Sequence, residues 1–193
     1  MQVDQAIIYF TTLPFWEQFT YTIKYQYLKS GVDCLYRVAI GQDSHRFAEK
    51  ESNKKLVLGG VVIEGYPPLE GNSDADVVLH ALTNAISGIS CVNILGKVAD
   101  RLCLEEGITD SRVYVKKALE TLGEKKIIHV SVSIEALRPK LATHIEKMRD
   151  SIAGLLGIDG NCVGITATSG EGLTEFGRGN GIYCTVIVTA EDI

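Results

Sequence analysis

The sequence lacks three features that mark large classes of proteins. It has no basic excess, because 24 acidic residues outnumber 19 basic ones and the net charge is −5, a balance that argues against a nucleic-acid partner. No stretch approaches the roughly 18 apolar residues that a membrane-spanning helix needs, so we expect no membrane partner. No Cys-x-x-Cys pair occurs, and an odd number of scattered cysteines favours buried thiols in a reducing compartment. The cysteines are Cys34, Cys91, Cys103, Cys162 and Cys184.

The first 34 residues also lack the marks of a sorting signal. No basic start is followed by an apolar core, as a secretory signal requires, and no arginine precedes Arg37, although transit peptides are rich in arginine. We therefore interpret residues 1–34 as an extension of unknown role and residues 35–193 as the folded domain. A chain of this length buries a substantial core without disulfides or a structural metal.

Hydrophobic periodicity predicts an α/β protein. Alternating apolar residues predict strands at 35–41, 55–63 (a bent strand or hairpin), 127–136, 163–168 and 182–189. In the third of these, Ile128, Val130, Val132 and Ile134 are expected on one face. Helices are predicted from the N-cap Ser73 to Gly88, from Asp110 to about Gly123, and from a capping box of Thr143 and Glu146 to Gly157. This order favours an α+β sandwich in which helices cover one face of a mixed sheet.

Two pairs of residues have the spacing of metal ligands. Asp43 and His45 are two apart in an extended segment and point the same way, while Asp76 and His80 are four apart on one helix face. Asp43, His45 and His80 together supply three ligands and leave a fourth position open, as a catalytic zinc requires. From spacing alone, the alternatives remain that Asp43 caps a turn and that His80 is a core histidine.

Other segments have the composition of phosphate-binding sites. Ser73 caps a helix whose first amides can hold a phosphate. The loop that follows the strand ending at Thr168 offers backbone amides, the hydroxyl of Ser169 and the carboxylate of Glu171, which suits a hard cation. Each segment also has a purely structural interpretation. Ser73 could be an ordinary N-cap, the glycine-rich loop a flexible hairpin loop, and the segment around Lys140 a solvated turn. The candidate cationic contacts are Lys140 and Arg178.

Five short motifs resemble those of one family, the 2-C-methyl-D-erythritol 2,4-cyclodiphosphate synthases of the non-mevalonate isoprenoid pathway. The resemblance runs from about Tyr36 to Glu191, which is most of the chain. Five motifs in the right order and spacing are far more specific than any one of them. They lie at Gly41 to His45, Ser73 to Leu82, Arg138 to Leu141, Ala167 to Glu171 and Gly177 to Gly179.

The resemblance implies a phosphorus–oxygen lyase. Such an enzyme converts 4-diphosphocytidyl-2-C-methyl-D-erythritol 2-phosphate to 2-C-methyl-D-erythritol 2,4-cyclodiphosphate by intramolecular phosphoryl transfer and releases CMP. The resemblance further implies a ferredoxin-like fold and a homotrimer with active sites between neighbouring subunits. Residues 35–193 would be the catalytic domain, in the cytoplasm of a bacterium or in the plastid of a plant.

The resemblance also implies two metal sites. Asp43, His45 and His80 match the ligands of Zn²⁺ in the family. Glu171 matches the ligand of a second divalent cation, Mg²⁺ or Mn²⁺, which binds between the two phosphates of the substrate.

The catalytic and substrate-binding positions of the family are matched with some departures. Asn72 replaces a histidine that stabilises the transition state, and Ser169 keeps the hydroxyl of a threonine, so both are expected to donate hydrogen bonds as charge shifts. An Asp-x-Gly that holds the erythritol hydroxyls begins with Ile94 here, and Glu175 stands where phenylalanine is common. The matched substrate-binding positions are Ser73, Gly96, Ala136, Lys140, Leu141, Ala167, Thr168 and Arg178.

Two other functions remain open from the sequence. A metal-dependent nucleotide phosphohydrolase would use the same metal to activate water. A metal- and CDP-binding relative without turnover is favoured by the departures at Asn72 and Ile94.

Overall fold

The computed structural model describes residues 36–49 and 53–193. The predicted extension at 1–34 lies outside the described residues, as does Cys34. The strands are β1 Tyr36–Arg46, β2 Leu56–Leu58, β3 Val61–Ile63, β4 Lys125–Glu135, β5 Val163–Thr168 and β6 Gly181–Asp192. The helices are α1 Val77–Ser90, α2 Lys97–Leu104, α3 Ser111–Leu119 and α4 Ile145–Leu156, with short 3₁₀ turns at Leu141–Thr143, Gly160–Cys162 and Gly170–Gly172.

Within these residues, four strands form one mixed sheet in the order β1-β6-β4-β5. Strand β6 is antiparallel to its neighbours β1 and β4, whereas β5 is parallel to β4. Strands β1, β4 and β5 therefore run in the same direction, and their carboxyl ends lie at the same end of the sheet. Strands β2 and β3 form a separate antiparallel hairpin. The prediction of a mixed α/β fold is confirmed.

The connections differ from the expected ferredoxin-like order. That fold runs strand–helix–strand–strand–helix–strand, whereas this sheet is built from β1, α1, β4, α4, β5 and β6 in turn. The expectation of ferredoxin-like connectivity is therefore wrong. The reason is that the loop after β5 carries the last strand past β4 into the middle of the sheet. Such a long-range pairing leaves no trace in the periodicity of the strands.

One face of the sheet is covered by helices. Val130, Val132 and Ile134 of β4 are buried on this face, as the alternation predicts. Ile128 is expected with them, but a β-bulge between Ile127 and His129 shifts the register. As a result Ile127 is buried and Ile128 is only half-buried.

The opposite face of the sheet, here called the outer face, exposes a row of apolar side chains on β1. Tyr36, Val38 and Ile40 are 60%, 66% and 59% exposed. Ile187 of β6 pairs with Ile40 and is also exposed. A contiguous apolar row of this kind is typical of an interaction surface.

Helix α1 begins later than predicted. Its N-cap is Asp76 rather than Ser73, because the Asp76 carboxylate accepts hydrogen bonds from two amides in the first turn of the helix, at 3.1 and 3.0 Å. The same carboxylate accepts hydrogen bonds from the amides of Gly59 and Gly60, between β2 and β3, at 2.8 and 2.6 Å. Four amides thus converge on one buried carboxylate and fix where the helix starts.

Helix α1 lies directly on β1 because both carry small residues where they cross. A Cβ atom on Gly41 would overlap the backbone of α1 at Ala81 and Ala85. A Cβ atom on Gly88 would lie 2.9 Å from the Cβ of Ala39. Gly88 therefore serves this close packing, and the helix continues beyond its predicted end to residue 90.

The remaining helices agree with the predictions in part. Helix α3 follows the N-cap Asp110, as predicted, but ends at Leu119 rather than near residue 123. Helix α2 has no predicted counterpart, because it is only eight residues long and buries only Ala99 and Leu102. Among the described residues, no helix is both long and apolar enough to cross a membrane.

Helix α4 ends as predicted but begins differently. Gly157 terminates it in the left-handed conformation, at φ 67°. The expected capping box of Thr143 and Glu146 is wrong, because Thr143 belongs to the preceding 3₁₀ turn and the helix begins at Ile145.

The cysteines agree only partly with the expectation of buried thiols. Cys184 is buried in β6, and burial raises the pKa of its thiol. Cys103 and Cys162 are half-buried, and Cys91 is exposed where it ends α1. All four described cysteines are free.

We expect Gly41→Ala to lower the free energy of unfolding by about 1–3 kcal/mol, because the added methyl group forces α1 away from β1. Urea denaturation measures the change. Gly154→Ala is the matched control, since a Cβ at this position in α4 meets nothing within 4 Å and alanine favours a helix by up to about 1 kcal/mol over glycine. Unchanged stability of Gly41→Ala would contradict the close packing.

Candidate active site

Three of the predicted metal ligands come together between β1 and α1. Asp43 and His45 project from β1 toward the helix, and His80 projects from the first turns of α1. The Oδ2 atom of Asp43 lies 3.0 Å from Nε2 of His45 and 3.0 Å from Nδ1 of His80. The two ring nitrogens are 3.4 Å apart. In the part of the chain that the structure describes, this is the one cluster of three or more such side chains with converging donor atoms.

The geometry of this cluster fits a divalent metal ion. Ligand atoms about 2.0–2.2 Å from a tetrahedral ion lie about 3.3–3.6 Å from one another. The separation of 3.4 Å falls within this range, and the two separations of 3.0 Å are slightly shorter. Two imidazole nitrogens and one carboxylate oxygen are also a donor set that zinc accepts, with a fourth position left for a ligand.

The charges of the cluster reinforce one another. Burial alone would raise the pKa of Asp43, but hydrogen bonds and positive charge from His45 and His80 outweigh it and lower the pKa to about 2. The hydrogen bond to Asp43 in turn raises the pKa of His45, against the effect of burial. Asp43 is therefore ionised at neutral pH and available to a cation.

The histidines of the cluster are also held from outside it. The backbone of Glu70 hydrogen-bonds His45. Nε2 of His80 lies 2.9 Å from Oγ of Ser111 and 3.4 Å from Oγ of Ser73. Ser111 is not among the site residues predicted from the sequence, although the predicted helix start at Asp110 places it in the first turn. Nothing in the chain order indicates that this turn faces His80.

We expect the affinity for zinc to fall as the pH is lowered from 8 to 6. A proton competes with the metal for Nε2 of His45, and Asp43 raises the pKa of this histidine above its ordinary value of about 6.5. The loss of affinity should therefore begin above pH 6.5. Isothermal titration calorimetry at several pH values measures it, and an affinity that stays constant over this range would argue against His45 as a ligand.

The segment before α1 is held by a lysine. Nζ of Lys54 donates hydrogen bonds to the carbonyl oxygens of Gly71 and Ser73, at 2.7 and 2.8 Å. This places Ser73 beside the cluster, where its hydroxyl is buried and accepts a hydrogen bond from the amide of Ala75. Asn72, the predicted catalytic residue in this segment, is exposed.

The loop after β5 brings the other predicted hydroxyls and carboxylate together. Oγ of Ser169 donates a hydrogen bond to Glu171 at 2.8 Å, and the hydroxyl of Thr168 accepts one from the amide of Gly170. Glu171 has a φ of 48°, a conformation that costs a non-glycine residue about 1–3 kcal/mol. Strain of this kind is concentrated at functional sites. Glu171 does not belong to the cluster of Asp43, His45 and His80.

Glu175 organises the second half of the same loop. Its carboxylate accepts hydrogen bonds from Asn180 and Arg178, each at 2.6 Å, and these bonds lower the pKa of Glu175. Arg178, a predicted phosphate contact, is thus paired with a carboxylate within its own loop. From the sequence, Glu175 is recognisable only as a departure from the family, and its pairing with Arg178 is not predicted.

The predicted nucleotide-binding residues lie at the carboxyl ends of the parallel strands. The amide of Ala136, just after β4, donates a hydrogen bond to the carbonyl of Thr168 at the end of β5, at 3.0 Å. Ala167 is exposed in β5, Lys140 is exposed, and Leu141 is buried. Gly96, by contrast, is the N-cap of α2, next to the buried Ile94.

The cluster and the loop after β5 lie at the same end of the sheet but are separated across its strands. Asp43 pairs with Cys184, Cys184 pairs with Ile134, and Ile134 pairs with Ala167, so these four residues form one row across the sheet. Three strand spacings of about 4.8 Å place Asp43 roughly 14 Å from Ala167. Within one chain, the two halves of the predicted site therefore do not share a single contact point.

These features define a class of protein: a mixed α/β domain with a carboxylate–imidazole cluster that fits a divalent metal ion and a glycine- and hydroxyl-rich loop at the carboxyl ends of its parallel strands. Residues 36–191 match the model of the YgbB family. The chain belongs to this family.

Relatives from two species of Chlamydia bear the name 2-C-methyl-D-erythritol 2,4-cyclodiphosphate synthase. The protein from Chlamydia caviae is 48% identical over 159 residues, which cover 82% of this chain and 90% of the relative. The protein from Chlamydia muridarum is 49% identical over 156 residues, which cover 80% of this chain and 88% of the relative.

Solved structures share the fold. The bifunctional IspDF of Campylobacter jejuni matches with a TM-score of 0.75 and 27% identity over 83% of this chain and 43% of that longer one. The 2C-methyl-D-erythritol 2,4-cyclodiphosphate synthase of Plasmodium vivax matches with a TM-score of 0.69 and 25% identity, over 82% of this chain and 99% of that one.

Proposed function

We propose that this chain converts 4-diphosphocytidyl-2-C-methyl-D-erythritol 2-phosphate to 2-C-methyl-D-erythritol 2,4-cyclodiphosphate and CMP, in the non-mevalonate route to isoprenoids. The observation that carries the proposal is the converging cluster of Asp43, His45 and His80 in a chain 48% identical to a protein named for this product. Its relatives from Chlamydia are bacterial, which supports a cytoplasmic rather than a plastid location.

The proposed reaction requires the protein to position the reacting phosphates and does not require a general base. The 2-phosphate of the substrate attacks the β-phosphorus, and CMP leaves. A phosphate monoester has a second pKa of about 6, so the nucleophile is already anionic at neutral pH. The barrier lies in bringing anions together in line, and fixing such a geometry is worth roughly 7–11 kcal/mol in favourable intramolecular reactions.

Two groups of side chains are suited to hold the cations that this reaction needs. Asp43, His45 and His80 would hold Zn²⁺, which supplies a Lewis acid and a template at the reacting phosphates. Glu171 would hold Mg²⁺ or Mn²⁺, which offsets the charge on the diphosphate. The exposure of Glu171 and its strained backbone support this assignment, because strain of this kind is concentrated at functional sites.

Hydroxyl and amide groups would bind the phosphates directly. Ser169 turns its hydroxyl from Glu171 to a phosphate oxygen, and the exposed amide of Asn72 donates a second hydrogen bond. Ser73 and Thr168 add hydroxyls on either side. Arg178 reaches a phosphate only by leaving Glu175, so the substrate competes with this ion pair.

The carboxyl ends of β4 and β5 form the proposed nucleotide-binding side. One solved relative with 27% identity and a TM-score of 0.67, over 79% of this chain and 98% of that one, is described as a CDP-bound form of 2C-methyl-D-erythritol-2,4-cyclodiphosphate synthase. We assign the contacts with cytidine to residues around the hydrogen bond that joins Ala136 to Thr168. These residues are Ala136, Lys140, Leu141 and Ala167. Gly96 matches the glycine of the family's Asp-x-Gly, which holds the erythritol hydroxyls. Ile94 replaces the aspartate of that motif, is buried and supplies no polar group.

A homotrimer would complete the site. The roughly 14 Å between Asp43 and Ala167 in one chain supports a site in which the metal cluster of one subunit faces the loop of the next. The exposed apolar row of Tyr36, Val38 and Ile40 supports an assembly buried on the outer face.

Phosphorus NMR of the purified protein with zinc, magnesium and the diphosphocytidyl substrate tests the function. A cyclic diphosphate and an equal amount of CMP are expected. Open-chain phosphates would instead identify a phosphohydrolase. Intact substrate with bound metal would identify a binding protein, the alternative that the departures at Asn72 and Ile94 favour.

We expect His80→Ala to abolish zinc binding and turnover together, because two ligands remain where three are needed. His144→Ala is the control, since His144 lies outside the cluster. Metal content is measured by atomic emission and turnover by phosphorus NMR. Full zinc occupancy in His80→Ala would show that this histidine is not a ligand.

We expect Val38→Asp together with Ile40→Asp to dissociate the trimer, because each carboxylate would be buried without a partner. Sedimentation velocity measures the mass in solution. Leu104→Asp is the control, since Leu104 is 67% exposed on α2, away from the outer face. A double variant that sediments like the parent would place the subunit contact elsewhere.

A further inference from the structure

Ser111 holds the ring nitrogen of His80 that faces away from the metal cluster. Its Oγ lies 2.9 Å from Nε2 of His80, closer than the 3.4 Å of Ser73. Ser111 is fully buried in the first turn of α3, and Tyr114 of the same helix places its ring 6.0 Å from that of His80. Helix α3 thus packs against His80 from the side opposite to β1.

Asp74 fixes the direction of the hydrogen bonds at Ser111. Its Oδ2 accepts a hydrogen bond from the amide of Ser111 at 3.1 Å, and its Oδ1 accepts a very short one from the Ser111 hydroxyl. The amide of Asp74 is anchored on the carbonyl of Thr109 at 2.9 Å. An ionised carboxylate only accepts hydrogen bonds, so the single hydroxyl proton of Ser111 points to Asp74.

The direction of that bond determines which nitrogen of His80 carries a proton. Because the Ser111 hydroxyl donates to Asp74, its oxygen is left to accept, and Nε2 of His80 must donate to it. Nδ1 then presents its lone pair on the side of Asp43 and His45 when the site binds a metal. Hydrogen bonds at the far nitrogen commonly set the tautomer of a metal-binding histidine.

We propose that Asp74 and Ser111 are positioning residues that keep a proton on Nε2 of His80 and so reserve Nδ1 for the metal. The inference rests on the proposed metal site and adds two residues to it. Helix α3, which carries none of the three ligands, thereby contributes to metal binding through Ser111.

Asp74→Asn is the sharpest variant, because it keeps the shape of the side chain and an oxygen for the amide of Ser111, but reverses the hydrogen bond with the Ser111 hydroxyl. The new amide donates to Ser111, whose hydroxyl is then free to donate to Nε2 and favours the wrong tautomer of His80. Ser111→Ala removes the acceptor altogether. Asp110→Asn is the matched control, since Asp110 is the neighbouring N-cap of α3 and asparagine caps a helix as well as aspartate does.

Zinc affinity by competition with a chelator and the long-range proton–nitrogen NMR spectrum of His80 are the two measurements. We expect Asp74→Asn and Ser111→Ala to bind zinc about 10- to 100-fold more weakly than the parent and Asp110→Asn to bind it equally well. The zinc-loaded parent should show the proton on Nε2 and the metal on Nδ1. A proton on Nδ1 and the metal on Nε2, or unchanged zinc affinity in Asp74→Asn, would overturn the proposed role of Asp74 and Ser111 but not the metal site. A parent that binds no zinc would overturn both.

Discussion

Helix α1 touches the backbone of β1 at Gly41, and the position of every group in the metal cluster follows from that contact. The helix carries His80 and the strand carries Asp43 and His45, so the separation of the two elements sets the distances of 3.0 Å from His80 to Asp43 and 3.4 Å from His80 to His45. The buried carboxylate of Asp76 fixes the remaining freedom, because its bonds to the amides of Gly59 and Gly60 stop the helix from sliding along the strand. Glycine at one position and aspartate at another thus determine the geometry of a site to which neither contributes a ligand.

The predicted site combines a half that is largely buried with a half that is largely exposed. The cluster lies on a strand and a helix whose partners are buried, and its carboxylate is already ionised. The loop after β5 is built from short local hydrogen bonds, in which Ser169 holds Glu171 and Glu175 holds Arg178. These pairs satisfy polar groups of the loop within the loop itself. If phosphate binds there as we propose, it would replace these pairs, and part of the free energy of substrate binding would be used to rearrange the loop rather than the cluster.

Much of the fold and of the metal cluster could be predicted from the sequence, and the exceptions have physical causes. Strand β5 has its predicted bounds, and Asp43, His45 and His80 meet as their spacing indicates. The sequence predicts the start of α1 at Ser73, because serine is a good N-cap. Asp76 is the N-cap instead, because its carboxylate is also held by a hydrogen bond from an amide of the distant β2–β3 hairpin. Ser111, the order of the strands and the pairing of Glu175 depend on contacts between segments far apart in the chain or on a particular side-chain conformation, which residue types alone do not specify.

Strand β1 carries two independent sets of residues, one on each side. Asp43 and His45 alternate with Val38, Ile40 and their neighbours, so one side carries two members of the cluster that fits a divalent cation and the other side carries the apolar row. A side-chain period of two means that inserting or deleting a single residue within the strand exchanges the two sides. Such a change would turn the carboxylate and imidazole outward and press branched aliphatic groups against α1. Both sides of β1 therefore hold the length of this segment fixed at once.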